Sequence, residues 1–415
     1  MFVKIISLKE KKFRLICYNI RIMKRIFTLF LIIFALQSSC FATTNVSFVY
    51  LNGSNNNNTK MRNWFLSGIK KFHPTLKNQI EKDKFTQKYL LNDKHYVIDE
   101  TPTIFFWGDK SQNDLMFMKE KANLLRSISP IIAFFVRNTI ADCLHDAIWV
   151  QKTHNMIPII QDLDITVKGQ VSQNKKVVLL GYSAGSFITM EYLFNKMPYL
   201  NIEEYLINKG IDDDLLKFVR KNPRKNACLL SIVGSDVLDY SALGTTFINK
   251  NKEEFKRGYL KIDEFTDKYC APEGSIIGVI NYASPIPLFY SDMADKNLES
   301  SKLTHLMYKY LIERDFFFLT VNYADDPLGF PNGVNYTNEE IQKMTNLKFS
   351  NEEGFFYDYS RALSWRTFAG AHTSYWKTRK RFSKAITKGY QEGYRFQFDE
   401  KYQQKMVKKS HKKRT

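Results

Sequence analysis

Short apolar runs alternate with longer amphipathic stretches through most of this chain. Residues 46–51, 103–107, 177–180, 227–233 and 316–321 are rich in β-branched, aromatic and other apolar side chains, too short for confident helices and bounded by turn-forming residues. Between them, 59–72, 114–126, 134–153, 184–197 and 300–313 show helical spacing of apolar positions. Near-continuous apolar strands are buried on both faces, and strands that alternate with helices build a parallel sheet. The predicted fold class is therefore α/β: a mostly parallel sheet covered by helices on both faces, forming one domain over about residues 43–396. Residues 235–300 exceed what a crossover needs and are rich in aromatics, including Tyr240, Phe247, Phe255, Tyr259, Phe265, Tyr282, Phe289 and Tyr290. They are expected to form a cap after the sixth strand, its aromatics either lining a pocket or packing the cap itself.

The ends of the chain follow different patterns. Met23-Lys24-Arg25, an apolar run over 26–36 and Gln37-Ser38-Ser39-Cys40-Phe41-Ala42 have the charged start, apolar centre and small-residue exit of a secretory signal, with cleavage after Ala42. Residues 1–22 read as an upstream extension ahead of a start at Met23. Cys40 offers lipoprotein processing as the alternative, although Gln37 stands where that signal normally has leucine. The expected location is the periplasm or the exterior. The apolar run is too short for a confident membrane span.

Net charge is +19, but residues 1–42 contribute +7 and residues 401–415 another +7, which leaves +5 for the body. A solvated basic tail over 397–415 suits an anionic membrane surface, and no module for specific nucleic-acid recognition is present. After export the cysteines are Cys143, Cys228 and Cys270, an odd number that argues against a disulfide scaffold. No metal or cofactor motif is recognisable, so no cofactor is expected. Oligomeric state is not legible.

The candidate chemistry begins where residues 177–180 run into Gly181-Tyr182-Ser183-Ala184-Gly185, followed by a helical stretch. An apolar strand, G-x-S-x-G and a helix describe a nucleophile elbow, a sharp turn that lifts one hydroxyl off a strand end. Ser183 is the candidate nucleophile. A serine needs a base to take its proton and an acid to orient that base, and with this elbow the acid precedes the histidine in the chain. Of the histidines after Ser183, His411 lies in the basic tail and His305 in a helical segment, whereas His372 occupies the small-residue loop Ala369-Gly370-Ala371-His372-Thr373. For the acid, Asp325 and Asp326 follow the 316–321 run; Asp326 is preferred because Pro327 locks the turn after it, and Asp236 is a further alternative. An oxyanion hole needs backbone N–H donors. Ala184, next to the nucleophile, supplies one, and Asn52-Gly53-Ser54 at the end of 46–51 supplies the other, through Ser54 with Gly53 beside it.

These motifs resemble those of the α/β-hydrolase superfamily of esterases, lipases and thioesterases, over roughly residues 44–390. Asn52 stands where many members have histidine, and Tyr182 where lipases often do. The resemblance implies a serine hydrolase that cleaves carboxylic esters through an acyl-enzyme. Its substrates would be small-molecule or lipid esters, with acyl or lipid types favoured by the aromatic 235–300 segment. The alternative is an envelope-associated binding protein that keeps the fold without turnover.

Overall fold

A computed structural model of the full chain describes residues 43–54, 59–123, 145–196, 271–286 except 273, 316–330 and 354–405 except 367. Its elements belong to one compact unit, Thr44–Thr415. The signal and its upstream extension, Cys40, Cys143, Cys228, Cys270, Asp236, His305, His411, the predicted strand at 227–233 and the predicted helix at 300–313 lie outside the described residues.

Seven strands form one sheet: β1 (Thr44–Leu51), β2 (Tyr96–Ile98), β3 (Thr103–Phe105), β4 (Lys176–Tyr182), β5 (Ile276–Tyr282), β6 (Phe317–Tyr323) and β7 (Phe355–Ala362). The order is β2-β1-β4-β5-β6-β7, with β3 pairing β1 beyond β2, and every pairing is parallel. The chain is thus an α/β protein. Parallel neighbours place all strand C-termini on one edge of the sheet, and Ser183, Asn52, Ala283 and Asp326 follow β4, β1, β5 and β6 there.

Side chains alternate across the sheet, and each face has its own helices. Val49, Leu51, Val177, Leu179, Val279 and Phe318 point to the side covered by α5 (Thr153–Val171) and α6 (Ala184–Lys196), which contribute Ile159, Leu163, Phe187 and Ile188. Phe48, Tyr50, Val178, Leu180, Ile280 and Leu319 point to the other side. There α1 (Thr59–Lys82) brings Phe65, Ile69 and Phe72, and α8 (Arg379–Phe398) brings Phe382, Ile386 and Tyr390. Phe72 and Phe382 stack at 5.1 Å where these two helices meet. Shorter helices are α2 (Lys84–Tyr89), α3 (Gln112–Asn123), α4 (His145–Val150) and α7 (Phe368–Ala371), with single 3-10 turns at Asn92–Lys94 and Gly108–Ser111.

Three differences from the expected elements stand out. Residues 276–282 fall inside the segment expected to be a cap, yet they are β5, paired on both sides in the middle of the sheet. The run Ile276-Ile277-Gly278-Val279-Ile280 is as apolar as the other strands, and Tyr282 is fully buried core rather than cap lining. This strand is the fifth, so no cap occupies 276–282; the rest of 235–300 lies outside the described residues apart from 271, 272, 274, 275 and 283–286. The expected helix at 134–153 ends its described part at Val150, and α5 begins afresh at Thr153 after a turn. Finally, α1 runs to Lys82, ten residues beyond expectation, through Pro74.

His73, one residue before that proline, is fully buried and links three elements. The Asp99 carbonyl can only accept, so His73 Nε2–H donates to it at 2.8 Å, and Nδ1 is left to accept the Tyr50 hydroxyl at 3.0 Å. This is a neutral tautomer. Burial lowers the pKa of the ring, with the Asp99 carbonyl and nearby acids acting the other way. In the unfolded chain the ring would titrate near the ordinary value of about 6.5. Between that value and the lowered folded one, the unfolded state binds more protons, so stability falls as pH falls through the window. His73→Leu is expected to flatten the dependence of the denaturation midpoint between mildly alkaline and mildly acidic pH; an unchanged slope would show that His73 is not its source.

Candidate active site

The site is built at the crossing of β4 and α6. Ser183 carries φ of +52°, a left-handed conformation unfavourable for a residue with Cβ, which costs about 1–3 kcal/mol and persists only where the surroundings impose it. Those surroundings are specific. The Ser183 N–H donates to the Tyr282 carbonyl at the end of β5 (3.0 Å), while its carbonyl accepts the Ser186 N–H (2.9 Å) and hydroxyl (2.6 Å). A Cβ on Gly185 would fall 2.6 Å from the Asn52 carbonyl oxygen and 2.8 Å from that of Leu51. Only glycine lets α6 approach the end of β1 so closely.

With the backbone turned this way, the Ser183 hydroxyl lies 3.0 Å from His372 Nε2. His372 Nδ1 lies 3.0 Å and 3.2 Å from the two Asp326 carboxylate oxygens. A carboxylate accepts, so Nδ1 carries the proton and Nε2 is free to receive one from the serine. The Asp326 side chain has no solvent exposure and that of His372 only 15%. The structure therefore brings together Ser183, His372 and Asp326, in the order acid, imidazole, hydroxyl.

Asp325, the neighbouring carboxylate, faces elsewhere. It accepts the Ser364 N–H (2.8 Å), the Ser364 hydroxyl (2.7 Å) and the Trp365 N–H (3.1 Å). Burial works to raise its pKa, but these donors outweigh it and hold the carboxyl below its usual range. Asp325 clips the loop after β7 to the loop after β6 and makes no bond to His372.

Of the proposed oxyanion donors, Ala184 is the first residue of α6, where an N–H has no acceptor within the helix. Gly53 packs directly on Ser183: an added Cβ would lie 2.8 Å from Ser183 Cβ. Ser54 follows, half-buried, at the same strand end. Asn52 organises this turn. Its side chain accepts the Trp107 N–H (3.1 Å) and donates to the Gly53 carbonyl (2.8 Å), while its own carbonyl accepts the Trp107 indole N–H (2.8 Å).

Two tyrosines that sequence reasoning did not assign brace the histidine segment. Tyr182, inside the elbow, donates its hydroxyl to the His372 carbonyl at 3.0 Å. Tyr375, three residues past the histidine, donates to Asp326 Oδ2 at 2.7 Å and accepts the Tyr323 N–H at 2.9 Å, with its ring stacked on Tyr323 at 4.4 Å. Burial, and secondarily the Asp326 charge, push the Tyr375 phenol far above its ordinary pKa, so it remains a donor across the working range. Together with the Leu328 N–H at 3.0 Å, this hydroxyl fixes the carboxylate that faces the imidazole. The only hint in the sequence was the short spacing from His372 to Tyr375.

No family model, curated protein or solved structure matches the chain. A functional reading therefore stands on the geometry. Tyr375→Phe keeps the ring but leaves the buried Tyr323 N–H and Asp326 Oδ2 without this partner. It should lower folded stability by about 1–3 kcal/mol, read from chemical denaturation. An unchanged midpoint would mean that the hydroxyl is not a needed partner.

Proposed function

We propose that the protein is a serine hydrolase of the α/β-hydrolase type that cleaves carboxylic esters, with acyl or lipid-type esters favoured. The observation that carries this reading is the continuous chain from Asp326 through His372 to the hydroxyl of a serine held at positive φ. A residue type that pays for backbone strain and sits at the end of a buried carboxylate–imidazole pair is arranged for nucleophilic attack.

In this mechanism Ser183 Oγ attacks the ester carbonyl carbon as its proton passes to His372 Nε2. Asp326 holds the ring in the required tautomer and stabilises the imidazolium. The negative charge on the carbonyl oxygen is met by the Ala184 N–H and by the Gly53–Ser54 backbone. Collapse of the tetrahedral intermediate breaks the ester C–O bond, and the leaving alcohol takes the proton from Nε2. Water, activated by the same imidazole, then releases the acid and restores Ser183. Export remains part of the proposal and rests on the Met23 to Ala42 pattern alone.

Ser183 is expected to be the serine labelled by a fluorophosphonate, and Ser183→Ala to lose on the order of a thousandfold or more in ester turnover with the fold retained. Labelling that survives this substitution would end the proposal. Asp326→Asn should leave KM nearly unchanged and lower kcat on the order of a thousandfold or more. Asp325→Asn should instead act mainly on stability, since its carboxylate binds Ser364 and Trp365. His372→Ala should abolish ester turnover with the fold retained; a variant that keeps its rate would contradict a general base at this position.

A further inference from the structure

Three local rules are broken side by side next to the histidine segment. The first concerns charge. From Tyr359 to Gln391 there are eight Lys and Arg and no Asp or Glu, more than the whole net charge of the body, so the remainder of the body is net acidic. Arg366, Lys377, Arg379, Lys380, Arg381, Lys384 and Lys388 are all exposed. Among the described residues, Arg361 is the only one of the eight in an ion pair, with Glu392.

The second concerns α8. Its first turn holds Arg379, Lys380 and Arg381 and no acid, and Thr378 gives no side-chain cap. Cations at the positive end of a helix dipole lower its stability, the reverse of the favoured arrangement.

The third concerns Trp365. It is 74% exposed, the most exposed of the large apolar side chains among the described residues, and has φ of +59°. For a bulky aromatic this is a true outlier. Its loop is nonetheless held firmly. Asp325 accepts the Trp365 N–H, and Arg381 donates to the Leu363 and Ser364 carbonyls at 3.4 and 3.1 Å, its guanidinium 5.9 Å from the indole centre. Leu363 beside it, and Leu328 on the loop that Asp325 joins to this one, are each 40% exposed. Features that cost folding energy and are still rigidly built point to a role outside the fold.

We infer that this surface, Trp365 with Leu363 and Leu328, the adjoining Arg366 and Arg381 and the exposed Lys377 and Lys380 at the start of α8, docks the protein on an anionic lipid bilayer. A tryptophan flanked by aliphatic tips suits the boundary between headgroups and acyl chains, and unpaired Lys and Arg beside it suit anionic headgroups. Single-stranded nucleic acid also pairs with basic and aromatic groups, but the aliphatic Leu363 and Leu328 offer nothing for bases to stack on. The inference holds whether or not Ser183 turns over.

The test uses the full chain carrying Ser183→Ala, so that no lipid is consumed, and sediments it with vesicles of phosphatidylcholine alone or mixed with phosphatidylglycerol. Binding should favour the anionic vesicles, weaken with salt, and shift tryptophan emission to the blue. Each interfacial cation contributes roughly fivefold, so Lys377→Gln with Lys380→Gln should reduce partitioning on the order of 25-fold. That pair removes cations from an exposed helix start, so folding is not at risk. Trp365→Ala should weaken binding and abolish the emission shift while the salt dependence persists. Equal binding to both vesicle types would overturn the inference. So would undiminished binding by both variants, which would place the contact in the terminal basic segments. Variants that keep vesicle binding but lose affinity for single-stranded DNA would assign the surface to nucleic acid instead.

Discussion

The close crossing of α6 over the end of β1 is the constraint on which the site depends. Without a Cβ at Gly185 the helix abuts the Leu51 and Asn52 carbonyls, and the chain can reach that position from β4 only by turning sharply at Ser183. The strain at Ser183 is small beside the packing that enforces it. Apolar side chains of β4 bury on both faces, and the Tyr282 carbonyl on the next strand takes the Ser183 N–H. Further polar bonds key neighbouring strands to the same turn: Thr189 to Asn281, Ser186 to Ser284, and the Ser284 N–H to the Asn322 side chain. Backbone strain is tolerated here because several strands fix the position of one residue.

The same edge of the sheet concentrates buried polar groups. Asn52, Ser183, Asn281, Ser284, Asn322 and Asp326 are all buried at strand C-termini, while the strand interiors are overwhelmingly apolar. A buried polar group is costly unless bonded, and each of these has a partner. Tyr375 shows the economy of the arrangement. One hydroxyl satisfies a strand-end N–H and a carboxylate at once, and its ring continues the aromatic core through Tyr323 and Phe382. The orientation of the acid is thereby tied to the packing of α8 on the sheet.

What the sequence made legible was local. The elbow could be read because strand, motif and helix are contiguous, and His372 because small residues surround it. The pair Asp325 and Asp326 could not be separated on firm grounds. The rigidity of Pro327 favoured Asp326, but what divides the two are partners 39 to 49 residues away, Ser364 for one and His372 and Tyr375 for the other. Strand β5 was missed for a different reason: the length of the 235–300 segment suggested an insertion, and that inference overrode an apolar run as clear as that of β4. Strand β2, three residues long, is too short to carry a periodic signal. A total of +5 for the body also concealed a segment of eight cations compensated elsewhere, visible as a surface only once Trp365 and the start of α8 are seen to touch.

The two adjacent carboxylates acquire a joint meaning from this arrangement. Asp326 faces inward to His372, and Asp325 faces the loop that carries Trp365, yet both leave the same turn at the end of β6. Arg381, at the start of α8, completes the connection by bonding the Leu363 and Ser364 carbonyls. The exposed apolar loop and the buried imidazole pair are therefore attached to one short backbone segment, held by bonds on both sides.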